Sequence, residues 1–202
     1  MDFTEKEIAA LRKESVQKKN NSIHAPYIYI ADERLEFTMQ DIIKPHVRMM
    51  LPKTFLDLPP LIAKQMYPSE FRPAVIKTNP SLTVNFSFTF FEEKLPMKEV
   101  PDCAHYYRNV MKKMYPGNRF LKNGKRYMDP EETCILGWYS FVNPTLTEPI
   151  YNIHAFTSVE ERMLYCIFHT SKERFQAWEP HAFEVFDSIT TGRRKANESG
   201  QD

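Results

Sequence analysis

Three apolar segments and one amphipathic segment follow one another between residues 134 and 189. The apolar segments cover residues 135–142, 150–156 and 163–169, and their β-branched and aromatic content is typical of strands. The connections between them are too short for parallel crossovers, so the pattern predicts an antiparallel meander. The third segment is apolar at almost every position, which predicts covering layers on both faces of the sheet.

The amphipathic segment begins after Thr170, where the spacing of the apolar residues becomes helical. One helical face collects Trp178, Ala182, Val185, Phe186 and Ile189. We expect Pro180 in the first turn of this closing helix, where a proline is tolerated. Gly192, followed by Arg193 and Arg194, is the expected end of the helix.

The clearest alternation of apolar and polar residues covers residues 82–91. One face of this segment carries Leu82, Val84, Phe86, Phe88 and Phe90. The other face carries Thr83, Asn85, Ser87 and Thr89. A period of two predicts a strand with one dry face and one polar face.

A second amphipathic helix is predicted over residues 101–114, with Asp102 as its N-terminal cap. Its predicted apolar face contains Cys103, Tyr106, Tyr107, Val110, Met111 and Met114. After this helix, Asn123 and Gly124 form a hairpin signal between residues 120–121 and 126–128. We therefore expect the chain to reverse at this dipeptide.

Weaker patterns complete the order of elements: a charged helix over residues 4–18, a hairpin from strands 27–31 and 35–39, a strand over 46–51, a short helix over 61–66 and a strand over 74–77. This order predicts an α+β fold in which an antiparallel β-sheet is flanked by helices, an α/β/α sandwich. We predict a helical appendage at residues 1–22, a single domain at 23–190 and a short disordered C-terminal tail at 191–202.

Composition and charge narrow the function classes. The 202 residues are 42% hydrophobic and carry 27 basic and 26 acidic residues, a net charge of +1. This balance gives no electrostatic argument for binding nucleic acid. The first residues show no apolar signal segment, and no run of 18 apolar residues follows, so we expect a cytoplasmic protein without membrane insertion. Three isolated cysteines are expected to be reduced thiols.

No catalytic motif is present in the sequence. The five glycines form neither a nucleotide-binding loop nor an esterase elbow, and the six histidines lack the spacing of a zinc site. His154 and His169 lie on neighbouring predicted strands and could meet, but two ligands are too few for zinc. Cys166 lies among apolar residues, where burial makes a thiol inert. We predict no catalytic residue, no cofactor and no metal.

Three groups of segments resemble the Mog1/PsbP-like fold, which includes bacterial DcrB-type domains. They are residues 50–55 with 66–68 and 72–76, residues 137–139 with 150–152 and 156–158, and residues 168–173 with Trp178 and 183–189. The resemblance covers about residues 27–189 and leaves the N-terminal helix outside. It implies a binding role, since Mog1 engages a small GTPase, PsbP is a photosystem subunit and Eag-type bacterial members chaperone secreted effectors.

The resulting functional hypothesis is a non-enzymatic cytoplasmic chaperone or adaptor for a secreted or membrane-directed protein client. Trp138, Tyr139 and Tyr151 are the predicted protein-binding residues, because aromatic side chains supply large contact areas. Trp138 and Tyr139 point to opposite faces of one strand, so one of them points away from the closing helix. The sequence leaves open whether a second helical layer or an exposed groove lies on that face. The alternatives are a small-ligand carrier and an unrecognised hydrolase with a nucleophile beside His154 or His169.

Overall fold

The computed structural model describes residues 4, 21–67, 72–145 and 148–191. Its strands are β1 (Ile28–Ile30), β2 (Glu33–Leu35), β3 (Phe37–Ile43), β4 (Val47–Pro52), β5 (Leu56–Asp57), β6 (Val75–Thr78), β7 (Val84–Lys94), β8 (Arg119–Tyr127), β9 (Ile135–Asn143), β10 (Ile150–Val159), β11 (Arg162–Ser171) and β12 (Thr190–Thr191). Its α-helices are α1 (Pro60–Met66), α2 (Val100–Met114) and α3 (Lys172–Asp187). The predicted N-terminal helix, apart from Thr4, and the predicted tail beyond Thr191 lie outside the described residues, and the domain bounds stay predictions.

Within the described residues, the main sheet has seven antiparallel strands in the order β5-β6-β7-β11-β10-β9-β8. Strands β9, β10 and β11 form the predicted meander, with Phe156 opposite Gly137 on one side and Tyr165 on the other. Helices lie on both faces, as predicted, so the fold is an α+β sandwich. Among the described residues, α3 packs on one face, and α1 and α2 pack on the other.

The face under α3 is closed by an aromatic core. The Phe86 ring lies 5.0–6.4 Å, centroid to centroid, from four other rings, those of Phe55, Phe168, Trp178 and Phe186. A smaller sheet of β12, β4 and β3 and the β1-β2 hairpin complete the cover. Their apolar side chains belong to the same buried cluster. The predicted apolar face of residues 82–91 lies here, except that Leu82 is exposed and precedes β7.

The face under α2 depends on a close backbone approach at Gly137. A Cβ atom at this position would lie 2.8 Å from the Val100 carbonyl oxygen and 2.9 Å from the Ala104 Cβ. The buried stripe of α2 therefore runs through Val100 and Ala104, whereas the predicted face members Tyr106 and Met114 are exposed. Asp102 lies in the first turn and does not cap the helix, because Glu99 occupies the cap position.

The predicted hairpin at Asn123 and Gly124 is wrong, since both residues lie inside β8. Gly124 pairs with Trp138, and the indole ring lies 3.7 Å from the place of a Cβ on Gly124. The glycine therefore gives room to a large side chain. The chain reverses after Tyr127 instead, where the Asp129 carboxylate accepts a 2.7 Å hydrogen bond from the Cys134 backbone N–H.

The predicted ends of the closing helix are also wrong. Pro180 lies inside α3, which begins eight residues earlier because Phe175 and Trp178 pack on the sheet and fix the preceding turns. The Phe175 ring stacks on Tyr151 with a centroid distance of 4.1 Å. The helix ends at Asp187, well before Gly192, because Thr190 and Thr191 pair with β4.

Candidate functional site

Polar residues from three neighbouring strands meet on the face of the sheet that carries α1 and α2. The strand register places Asn85, His169 and Asn152 side by side in one row across β7, β11 and β10. The next row contains Ser87, Ile167 and His154. We name Asn85, Ser87, Asn152, His154 and His169 the central polar strip. It forms because the polar positions of three alternating strands come into register.

The two helices on this face leave a gap between them. Helix α1 covers β6 through a cluster that includes Leu58, Ala63 and Ile76. Helix α2 covers β9 and β10. At this gap, four side chains of β7 and β11 remain partly exposed: Thr89, Ile167, His169 and Tyr165, the last of which also stacks on Tyr107 of α2. We name this gap the α1/α2 groove, and the central polar strip forms part of its floor.

His154 is the more enclosed of the two histidines in the strip, with 6% of its surface exposed. Its Nδ1 lies 3.0 Å from the Tyr139 hydroxyl and 2.6 Å from the Tyr165 hydroxyl. Burial and, to a lesser extent, the nearby His169 lower the pKa of His154 to about 3. Burial also raises the pKa of both tyrosines. This cluster is therefore uncharged near neutral pH.

His169 and Asn85 form the open end of the strip. The Tyr67 hydroxyl lies 3.0 Å from His169 Nε2, and burial lowers the pKa of His169 to about 4. Asn85 is 1% exposed, and its Nδ2 donates to the Leu82 carbonyl oxygen over 3.2 Å. Its Oδ1 has no hydrogen-bond partner in the described part of the chain. A cavity of about 210 Å³ opens here and is lined in part by Met66, Leu82, Asn85 and His169.

The structure separates the three predicted binding residues. Of Trp138 and Tyr139, it is Tyr139 that points away from α3, and it lies under α2 with 0% of its surface exposed. Tyr151 is 1% exposed and donates a 2.9 Å hydrogen bond to Glu179 of α3. Trp138 is partly exposed and packs against Phe183. Of the three, Trp138 alone retains exposed surface, and a direct contact of these residues with a partner stays a prediction.

Sequence reasoning found the two histidines but missed their setting. The alternation over residues 82–91 could have pointed to Asn85 and Ser87. Buried polar side chains need hydrogen-bond partners, so a buried polar face on this strand predicts polar residues on the strands beside it. Tyr67 and Ile167 carried no such signal. Their place in the groove depends on where α1 ends and on how β11 pairs with β7.

The cysteine and metal chemistry considered from the sequence is not assembled in this groove. Cys166 lies on the α3 face, opposite both histidines, and burial raises the pKa of its thiol. The described residues contain no group of three or more His, Cys, Asp or Glu side chains placed to hold a metal ion. None of the helices in the described ranges is long and apolar enough to span a bilayer.

Comparisons with known proteins identify the type of fold. No protein-family model matches the sequence, and no curated protein matches it by sequence. Cyanobacterial PsbP (CyanoP) from Synechocystis sp. PCC 6803 is similar in structure, with a TM-score of 0.54 and 9% identity over 77% of this chain and 92% of that protein. The chain therefore has a Mog1/PsbP-like fold, as the sequence resemblance predicted.

Two further solved structures are similar at lower scores. LpqN, involved in cell envelope biogenesis of Mycobacterium tuberculosis, has a TM-score of 0.48 and 10% identity, over 83% of this chain and 99% of LpqN. The T6SS immunity protein TplEi of Pseudomonas aeruginosa, solved with a peptide, has a TM-score of 0.39 and 12% identity. That match covers 94% of this chain and 85% of TplEi.

Proposed function

We propose that this chain is a non-enzymatic, cytoplasmic protein-binding module that acts as a chaperone or adaptor. Its client is a secreted or membrane-directed polypeptide, and the α1/α2 groove holds an apolar segment of that client. The single observation that supports this proposal is the partial exposure of Ile167 in the middle of the main sheet. A β-branched apolar residue on a central strand is normally covered, and an uncovered one marks a surface that a partner can cover.

The surroundings of Ile167 suit an apolar segment. Tyr165, two residues away on the same strand, adds aromatic surface, and Met66, which is 40% exposed, adds flexible apolar surface at the cavity beside His169. His154 and His169 are neutral near pH 7, because burial lowers the pKa of both. The floor therefore offers contact area and neutral polar groups without a buried charge that would need a counter-ion.

Site-specific photo-cross-linking tests this proposal. A cross-linking amino acid at position 167 is expected to capture one discrete polypeptide when the tagged chain is expressed in its native host. The same amino acid at the exposed position 173 of α3 is the matched control. Ile167→Glu should abolish co-purification of that polypeptide, whereas Glu173→Ala should leave it unchanged. Equal capture from positions 167 and 173 would contradict a client site in the groove.

A small-ligand carrier is the second candidate, and the unpaired Oδ1 of Asn85 favours it. A ligand with an N–H or O–H donor would satisfy this atom inside the cavity of about 210 Å³. Native mass spectrometry of the full chain would show a reproducible added mass that Asn85→Leu removes. An unliganded mass from the native host would count against this candidate.

The hydrolase alternative has little support from the described residues. Tyrosine hydroxyls, not carboxylates, lie beside His154 and His169. Cys166, the nucleophile considered from the sequence, lies on the other face of the sheet. We therefore assign no catalytic role to these side chains.

A further inference from the structure

The outer edge of β8 presents a nine-residue strand without a neighbour in the described part of the chain. It is the last strand of the main sheet, so one row of its backbone N–H and C=O groups is available for pairing. Most of its side chains are exposed. An edge of this length can accept an added strand from another polypeptide.

The charge of this edge is one-sided. Strand β8 contains Arg119, Lys122, Lys125 and Arg126 and no acidic residue. On the α3 side, Arg126 pairs with Asp187 at 2.5 Å and Lys122 approaches Glu179 at 3.5 Å. Arg119 and Lys125 form no ion pair within the described residues.

Helix α2 adds a row of cations above the other face of β8. The Lys112 Nζ and the Arg108 guanidinium lie 5.4 and 5.7 Å from the centre of the Phe120 ring of β8. Arg108 forms no ion pair in the described ranges, and its Nε atom is buried there without a hydrogen-bond partner. The row therefore has positive charge that is not neutralised.

A cavity of about 300 Å³ lies between this helix and the strand. Its lining includes His105 and Arg108 of α2, Lys125 of β8, and Trp138 beneath. Asp102 is the acidic residue in that lining. Two permanent cations and a histidine thus face one carboxylate, which leaves the cavity suited to an incoming anion.

The charge pattern indicates which kind of molecule could bind along the edge of β8. A second copy of this chain, paired through β8, would bring together two strands that each carry four cations and no acidic residue, which is electrostatically unfavourable. Lysine on an edge strand likewise disfavours pairing with a neutral strand. A nucleic acid would neutralise the cations but has no peptide groups to pair with the backbone. An extended acidic polypeptide satisfies both the backbone groups and the charges.

We propose that the free edge of β8 binds an extended acidic segment of a protein partner as an added antiparallel strand. Every second side chain of such a strand faces α2, so carboxylates at alternate positions reach Arg108, Lys112 and Lys125. This surface is separate from the α1/α2 groove, and the proposal does not depend on a client in that groove. Trp138 also lines the cavity, but its indole ring packs against Phe183 on the α3 side.

Two synthetic peptides of identical composition test the proposal on the full chain. The probe is a fluorescein-labelled ten-residue peptide with glutamate at every second position and threonine or valine between. The control peptide carries the same five glutamates in one block. Fluorescence anisotropy at low ionic strength should show the alternating peptide binding at least about tenfold more tightly, because only its carboxylates face α2 together. Added salt should weaken this binding.

Protein variants and a modified peptide separate strand addition from simple charge attraction. Arg108→Glu with Lys125→Glu should weaken the alternating peptide about tenfold or more, and Lys125→Glu alone serves if the double variant does not fold. Lys64→Glu with Lys172→Glu, an equal charge change at exposed positions elsewhere, should leave binding unchanged. Methylation of the peptide amides that face β8 should abolish binding, since these N–H groups would pair with the strand.

Three results would overturn the proposal: equal affinity for the alternating and block peptides, full binding of the N-methylated peptide, or equal binding of a single-stranded oligonucleotide of the same charge. Ile167→Glu in the α1/α2 groove should leave peptide binding intact. A loss of peptide binding in that variant would place the peptide in the groove and would also overturn the edge assignment.

Discussion

The two faces of the main sheet are built from the same strands but differ in how they are closed. On the α3 face, Phe86, Phe168 and Trp178 are fully buried in one continuous aromatic cluster. On the opposite face, α1 and α2 cover the flanks, and Ile167 between them stays partly exposed above polar neighbours. The difference is one of continuity: a single buried cluster closes the α3 face, whereas two separate buried clusters, one under each helix, close the flanks of the other face.

The largest expected effect contrasts these faces directly. Phe86→Ala should reduce the free energy of unfolding by about 3–5 kcal/mol, because it opens a cavity among four aromatic rings. Ile167→Ala on the open face should cost about 1 kcal/mol or less, because solvent already reaches the side chain. Urea unfolding of both variants measures the contrast. Similar losses would show that the groove is as tightly packed as the α3 core.

The second prediction tests the packing of α2 beside the groove. Gly137→Ala should reduce the free energy of unfolding by about 1–3 kcal/mol, since its Cβ would overlap the Val100 carbonyl oxygen and the Ala104 Cβ. Gly117→Ala is the matched control, because nothing lies within 4 Å of a Cβ at that position. Thermal unfolding of the two variants should separate them clearly. A stable Gly137→Ala variant would mean that α2 can move away from β9.

The third prediction concerns the neutral histidine under the groove. His154 has its pKa lowered to about 3 in the folded state, so below about pH 6.5 the unfolded chain binds a proton that the folded chain does not. Stability should therefore fall as the pH drops from about 6.5 towards 3. The slope attributable to His154 approaches about 1.4 kcal/mol per pH unit in that window.

Comparing the wild type with His154→Gln isolates this slope. His169 adds a slope of the same sign, since its pKa is also lowered. Asp187 opposes it, because burial raises the pKa of that carboxyl to about 6 and the folded state then binds the extra proton. The Asp187 contribution is common to the two proteins and cancels in the difference, and the His169 contribution cancels above about pH 4, where folded His169 is neutral. Parallel stability curves between pH 6.5 and 4 would show that His154 is not enclosed as described.

Local patterns predicted the elements whose burial follows from their own sequence. The meander, the strand through Phe86 and the closing helix were recognisable because their apolar periods of two and 3.6 match their buried faces. The prediction of a hairpin at Asn123 and Gly124 was wrong because Gly124 has another role: its missing side chain makes room for Trp138 on the neighbouring strand. Conversely, Glu160 and Glu161 form the tight turn between β10 and β11, and both have positive φ angles. Glutamate rarely adopts this conformation, so the sequence did not indicate this type of turn.

The sequence by itself determined that an antiparallel sheet lies between layers and that the strand through Asn85 has one apolar and one polar face. Only the tertiary structure decided that Asn85, His169 and Asn152 share a row, that Tyr139 lies under α2, and that, within the described residues, β8 is a cationic edge strand of the main sheet. The reason is physical. Periodicity records which side of an element avoids water, whereas strand order, register and the reach of short helices determine which polar residues meet and which surfaces stay uncovered.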